Sequence, residues 1–285
     1  MENNNTLSTI LSEVTTAKNL LIIYDGRTNL DIAASAISLF CWSKQKGLDV
    51  QLVSTSEPIV EHNTLVGIDK ALTSLPKRNL VISLDYEEDR IDKVVSHLNE
   101  EDKKLLLIVQ PKSNAKPLDT KNVHFDYEGV EYDQIITFNV GKKHELEKVL
   151  GRTSKNLSAQ KLVAIGGVEK PDYECKFHLP CADEECLSAD FAQAWQLLNI
   201  QVDSDIASNL MMGLDNKTEH FAKCQNPAAF TLAAWLLDRG ARRHFVSPEE
   251  KNKFVKEHLP GKHRSRPRSH SRPNKEPAKS VRSEK

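Results

Sequence analysis

Residues 20–24, LLIIY, form an uninterrupted apolar run that stops at Asp25-Gly26. A strand with one wet face alternates apolar and polar side chains, so an unbroken run places both faces in a core, as in a parallel sheet. Parallel neighbours need a crossover, and the next residues supply one. Residues 29–46 space Ile32, Ala33, Ile37, Leu39, Phe40 and Trp42 among Ala and Ser as a helix does, with Gly47 as its stop. Residues 49–54, DVQLVS, then read as a second strand. Strand, helix and strand in this order open an α/β fold with a right-handed crossover.

The middle of the chain reads differently. Residues 79–85, 91–99, 104–109 and 123–127 are short apolar or alternating segments separated by charged turns. Short turns join only antiparallel neighbours, so residues 79–130 are expected to form a small antiparallel β insertion. The parallel pattern resumes at 133–140 (DQIITFNV), continues through a helix over 144–150, and reaches another strand at 161–165 (KLVAI). From Ala182 onward the text is helical, over about 187–198, 204–213 and 227–240. The expected architecture is therefore α/β: a mostly parallel sheet flanked by helices with a small antiparallel insertion. Residues 1–17 read as a polar lead-in, 18–246 as the folded domain, and 247–285 as a linker and basic tail.

Charge is distributed unevenly along the chain. Residues 261–285 hold nine Lys and Arg against two Glu, whereas residues 1–260 hold thirty against thirty-eight acidic residues. The tail has too few apolar residues to offset chain entropy by burial and is expected to be disordered. A mobile cationic segment gains affinity for RNA or single-stranded DNA through counterion release; without interleaved aromatics, base stacking is not indicated. Five Cys without a regular framework suggest reduced thiols. With no apolar signal segment near Met1 and no run long enough to span a bilayer, a cytoplasmic protein is expected.

The stretch 208–243, SNLMMGLDNKTEHFAKCQNPAAFTLAAWLLDRGARR, resembles the closing segment of DHH-family phosphoesterases, the relatives of RecJ and the oligoribonucleases. In that family a helix ends in Gly, a metal-binding Asp-Thr pair follows, and a helix ending in Gly-Ala comes next. Gly213, Thr218 and Phe221 fall in register, but Lys217 occupies the Asp position. The family's first motif, an Asp-x-Asp before a small-residue helix, is matched by TNLDIAAS, with Asn29 at the first Asp, Asp31 at the second, and Asp25 where a His is usual. For the second and third motifs two alignments compete. In the preferred one, residues 132–139 (YDQIITFN) put Asn139 at the strand-end Asp, and Gly166, Gly167 and Val168 replace Asp-His-His. In the other, residues 79–85 (NLVISLD) keep Asp85, and Val109, Gln110 and Pro111 replace the namesake residues. The family's glycine-rich C-terminal substrate domain has no counterpart after Arg243.

The resemblance implies a phosphoesterase scaffold with an altered centre. Two-metal hydrolysis needs several carboxylates and His around cations roughly 3.5–4 Å apart. Asp31, helped by Asp25, does not neutralise such a pair, and Lys217 repels it. The leading expectation is a catalytically degenerate protein that binds a nucleotide, oligonucleotide or protein partner through the former cleft, using Arg27, Asn29, Asp31, Asn139, Gly166, Gly167 and Lys217. No cofactor is expected on that reading. The alternative is an active phosphoesterase using Asp25, Asp31 and Asp85 with Mn or Mg. A third reading is an RNA- or ribosome-associated protein acting through its tail. Two further patterns have plainer interpretations: Cys175, His178, Cys181 and Cys186 approach zinc-ligand spacing without a paired Cys-x-x-Cys knuckle, and Gly166-Gly167 precedes a Pro-containing loop, which favours a turn over a helix-start phosphate loop.

Overall fold

The computed structural model describes residues 2–76, 79–85, 90–116, 118–128, 131–151, 157–222 and 224–243. The linker and basic tail at 247–285 lie outside the described residues. The chain begins with helix α1 (Glu2–Thr16), which the reading of residues 1–17 as a lead-in missed. Leu7, Ile10, Leu11 and Val14, at i, i+3, i+4 and i+7, are each at most 1% exposed. Burying such side chains is worth roughly 1.5–3 kcal/mol each, enough to order a helix whose polar residues hide the stripe from a composition argument.

The central sheet is built from β1 (Asn19–Tyr24), β2 (Asp49–Ser54), β7 (Gln134–Phe138), β8 (Leu162–Ile165) and β9 (Phe177–Leu179), in the order β2-β1-β7-β8-β9. All four pairings are parallel. Helix α2 (Leu30–Gln45) makes the β1–β2 crossover; Asn29 caps its start by accepting from the Ile32 amide at 3.0 Å. Alternate residues of β1 feed two cores. Leu20, Ile22 and Tyr24 face the larger one with α1, α2, α4 (Leu187–Leu197), α5 (Ser204–Lys217) and α6 (Pro227–Asp238). Leu21 and Ile23 face the smaller one with α3 (Lys143–Leu150). On the larger side Trp42 of α2 lies 6.0 Å from Trp195 of α4, which meets Phe191 edge-on at 5.7 Å.

The insertion is antiparallel, as expected, but consists of two separate ribbons: β3 (Asn79–Leu84) with β6 (Val123–Glu128), and β4 (Ile91–Asn99) with β5 (Lys104–Pro111). None of these strands joins the parallel sheet. Helix α5 departs from expectation too. It runs through Gly213 to Lys217 instead of stopping at the glycine, because Gly213 serves a helix contact and is not a C-terminal stop.

Candidate functional site

Open parallel sheets bind ligands at the carboxyl ends of their strands, where loops and helix N-termini converge. Here β1 leads into Asp25, β7 into Asn139 and β8 into Gly166, on three adjacent strands. The Asp25 amide donates to the Phe138 carbonyl (3.0 Å) and the Asn139 amide to the Ile165 carbonyl (2.8 Å). Asn139, Gly166 and Gly167 have φ of 56°, 86° and 74°. This left-handed conformation suits Gly and is tolerated by Asn. The three line a small groove with Val140, Gly141, Glu169 and Pro171. The Gly166 amide donates to the Leu179 carbonyl (2.9 Å), and Gly167 accepts from the Cys181 amide (3.2 Å), tying the exit of β9 to this ledge. The segment after Gly167 does not start a helix; the next helix in the chain is α4.

Asp31 is engaged elsewhere. It is 1% exposed in the first turn of α2, and its carboxylate accepts from the backbone amides of Leu187 and Ser188, both at 2.8 Å, and from the Cys186 thiol at 3.5 Å. Ser188 Oγ donates to the Asp31 carbonyl at 3.1 Å. Asp31 therefore closes the N-terminus of α4, satisfying two amides that the helix itself leaves without acceptors. The Asp25 carboxylate folds back onto the Arg27 amide (3.0 Å), leaving Arg27 exposed. Asn29 is spent as the α2 cap.

The remaining candidates are dispersed. Asp85 lies exposed just after β3 in the insertion, and β3 is not part of the parallel sheet. Lys217 is half-buried at the last position of α5 and is not among the hydrogen-bond partners of Asp31. Both residues nevertheless act on one thiol: burial first, then the Asp31 charge, push Cys181 up to about 12, and Lys217 opposes the shift. Burial and Asp31 raise Cys186 further. Thiols held this firmly protonated are poor nucleophiles. Cys175 packs into the smaller core while Cys181 and Cys186 belong to the larger one, so the sheet separates the members of the zinc-like spacing. All five Cys are free.

Among the described residues no group of three His, Cys, Asp or Glu side chains is placed to hold a metal ion. Both oxygens of the Asp31 carboxylate already accept backbone amides.

Two acidic groups escaped the sequence reading. Asp215, 7% exposed on α5, is bound by the Arg243 guanidinium and the His220 ring. Only an acid on an apolar helix face signalled it; its Arg partner lies twenty-eight residues away. Asp190, in the first turn of α4, is raised to about 6 by burial and then by the charges of Glu185 and Asp31. A carboxyl protonated more readily in the folded state than in the unfolded chain stabilises the fold as pH drops through about 6 toward its ordinary 3.8, and costs stability above that window. Asp190→Asn is expected to melt at higher temperature than the parent at pH 8. The difference should close as pH falls to 4, as checked by thermal melts across that range.

No known family profile matches the chain, and no curated protein does. Among solved structures it is similar to the crystal structure of an exopolyphosphatase-related protein from Bacteroides fragilis, with a TM-score of 0.52 and 10% identity. The match covers 91% of this chain and 62% of that one, so this chain spans less than two thirds of the neighbour's length. At that identity the likeness shows a shared α/β fold alone.

Proposed function

We propose that this protein is a phosphoesterase-fold binding protein that does not hydrolyse. Its ligand is a nucleotide or short oligonucleotide, held by the phosphates along the ledge formed by Asn139, Gly166 and Gly167. One observation carries the reading: the carboxylate of Asp31, the best surviving counterpart of a metal ligand, is consumed in closing α4. An acid that holds two helices together is not available to pull cations into a cleft, and a metal arriving there would compete with two buried charge-assisted hydrogen bonds. The ledge offers the amide side chain of Asn139 and, at Gly167, a left-handed glycine with no Cβ to hold an anion off the backbone, with exposed Arg27 on the loop after β1. The tail at 261–285 adds nonspecific attraction for nucleic acid, and no bound metal is needed.

The neighbour's printed name, exopolyphosphatase-related, favours a phosphate-bearing ligand and keeps hydrolysis as the competing reading. The test assays purified protein with manganese and magnesium against short oligoribonucleotides, a generic phosphodiester and 3'-phosphoadenosine phosphate, alongside anisotropy binding of a labelled oligonucleotide in EDTA. The expected outcome is no turnover above a buffer control, with binding that persists in EDTA and weakens in Asn139→Asp. Turnover abolished by Asp25→Asn without loss of folding would replace this reading with the active enzyme.

A further inference from the structure

The β4–β5 ribbon is exposed on both faces. Val94, Val95 and Leu98 of β4, and Leu105, Leu106, Leu107 and Ile108 of β5, are all between 38% and 71% exposed. Leu80, Ile82, Phe125 and Tyr127 add to the same insertion from the β3–β6 ribbon. An isolated two-stranded ribbon is marginal in water, and a third strand or a covering layer is needed to hold it. Edge strands are ordinarily protected by a charge, a proline or a bulge. Strand β5 has none of these between Leu105 and Val109, where five apolar residues follow one another. Its backbone pairs with β4 on one side, and no described strand occupies the other.

We infer that this edge is covered by a second copy of the chain, β5 pairing antiparallel with β5 of the partner about a twofold axis. The edge is self-complementary. With the axis at Leu107, Leu107 faces its own counterpart in the partner copy, and Lys104 meets position 110, a glutamine, so no like charges oppose. The apolar run from Leu105 to Val109 is centred on Leu107, so in this register each of its five residues meets an apolar residue of the partner copy. A heterologous protein strand would gain the same hydrogen bonds, but the edge carries no charge pattern that would select one.

Light scattering after size exclusion decides the matter. The full chain is expected to elute at twice 32.1 kDa at micromolar concentration. Leu106→Lys with Ile108→Lys should elute as monomer with unchanged circular dichroism, since both side chains are exposed and their loss opens no cavity. Mild oxidation of Leu107→Cys should give a disulfide-linked dimer, whereas Leu80→Cys should not. A parent protein that stays monomeric over a hundredfold concentration range overturns the inference, as does a dimer indifferent to the lysine pair. Failure here leaves the ligand reading untouched, because its assay reads the strand ends of the parallel sheet and not the edge of β5.

Discussion

Asp31→Ala is expected to remove about 3–5 kcal/mol of folding stability, whether or not metal is present. The carboxylate accepts two buried backbone amides at 2.8 Å, and hydrogen bonds to a charged acceptor contribute roughly 1.5–3 kcal/mol each. Alanine deletes both and leaves the Leu187 and Ser188 amides without an acceptor at the start of α4. For a folded body of this size, about 2–4 °C of melting temperature accompanies each kcal/mol, so a fall on the order of 10 °C should be seen by calorimetry. Asp31→Asn keeps one carbonyl oxygen and should lose roughly half as much. A catalytic ligand behaves in the opposite way: Asp31→Ala would leave the melting temperature nearly unchanged and abolish a metal-dependent turnover that the parent shows. That result would restore Asp31 to the metal and remove the basis of the binding reading.

The sequence made the scaffold legible wherever a periodic apolar signal coincided with its own punctuation. The run at 20–24, the helical spacing of residues 29–46 and Gly47 locate the first strand and crossover helix within a residue or two. The alternating segments of 79–127 declare an antiparallel insertion. Helix α1 was obscured because its stripe of Leu7, Ile10, Leu11 and Val14 is thin and embedded in Asn, Thr and Ser, so only its spacing carries the signal. The site was less legible because motif position does not record which way a side chain turns. Asn29 and Asp31 sit where metal ligands would sit in the resembled family, yet one caps its own helix and the other caps α4, more than 150 residues away in sequence. Nothing local to Asp31 encodes that partner. Asp25, Asn139 and Gly166 do fall on adjacent strand ends, which strand order alone predicts. Asp85 belongs to a ribbon outside that order, so the alignment that relies on it places its acid far from the ledge in topology.

Gly213→Ala should have a comparably large effect through the same junction. A Cβ at this position would fall 2.0 Å from Ser188 Oγ, 2.9 Å from Ser188 Cβ and 3.2 Å from Ala34 Cβ, where α5 meets α4 and α2. Two opposing magnitudes set the sign. Alanine improves helix propensity by about 1 kcal/mol over glycine, whereas overpacking a tight contact costs about 1–3 kcal/mol and occasionally more. The second should win here, because Ser188 has little freedom to yield. Its hydroxyl is hydrogen-bonded to the Asp31 carbonyl and lies 3.2 Å from Ser35 Oγ, and rotating it away would still leave its Cβ in conflict. A helix must therefore shift, and moving α4 draws the Leu187 and Ser188 amides off Asp31. The net loss is expected to be about 2–4 kcal/mol, a fall in melting temperature of roughly 5–15 °C. Because both substitutions disturb one contact, Gly213→Ala combined with Asp31→Ala should cost less than the sum of the two. Moving the bulk across the interface, with Ser188→Gly added to Gly213→Ala, should recover part of the loss. A Gly213→Ala protein that melts higher than its parent would show helix propensity acting alone, and α4 would then not lie against α5 at this turn.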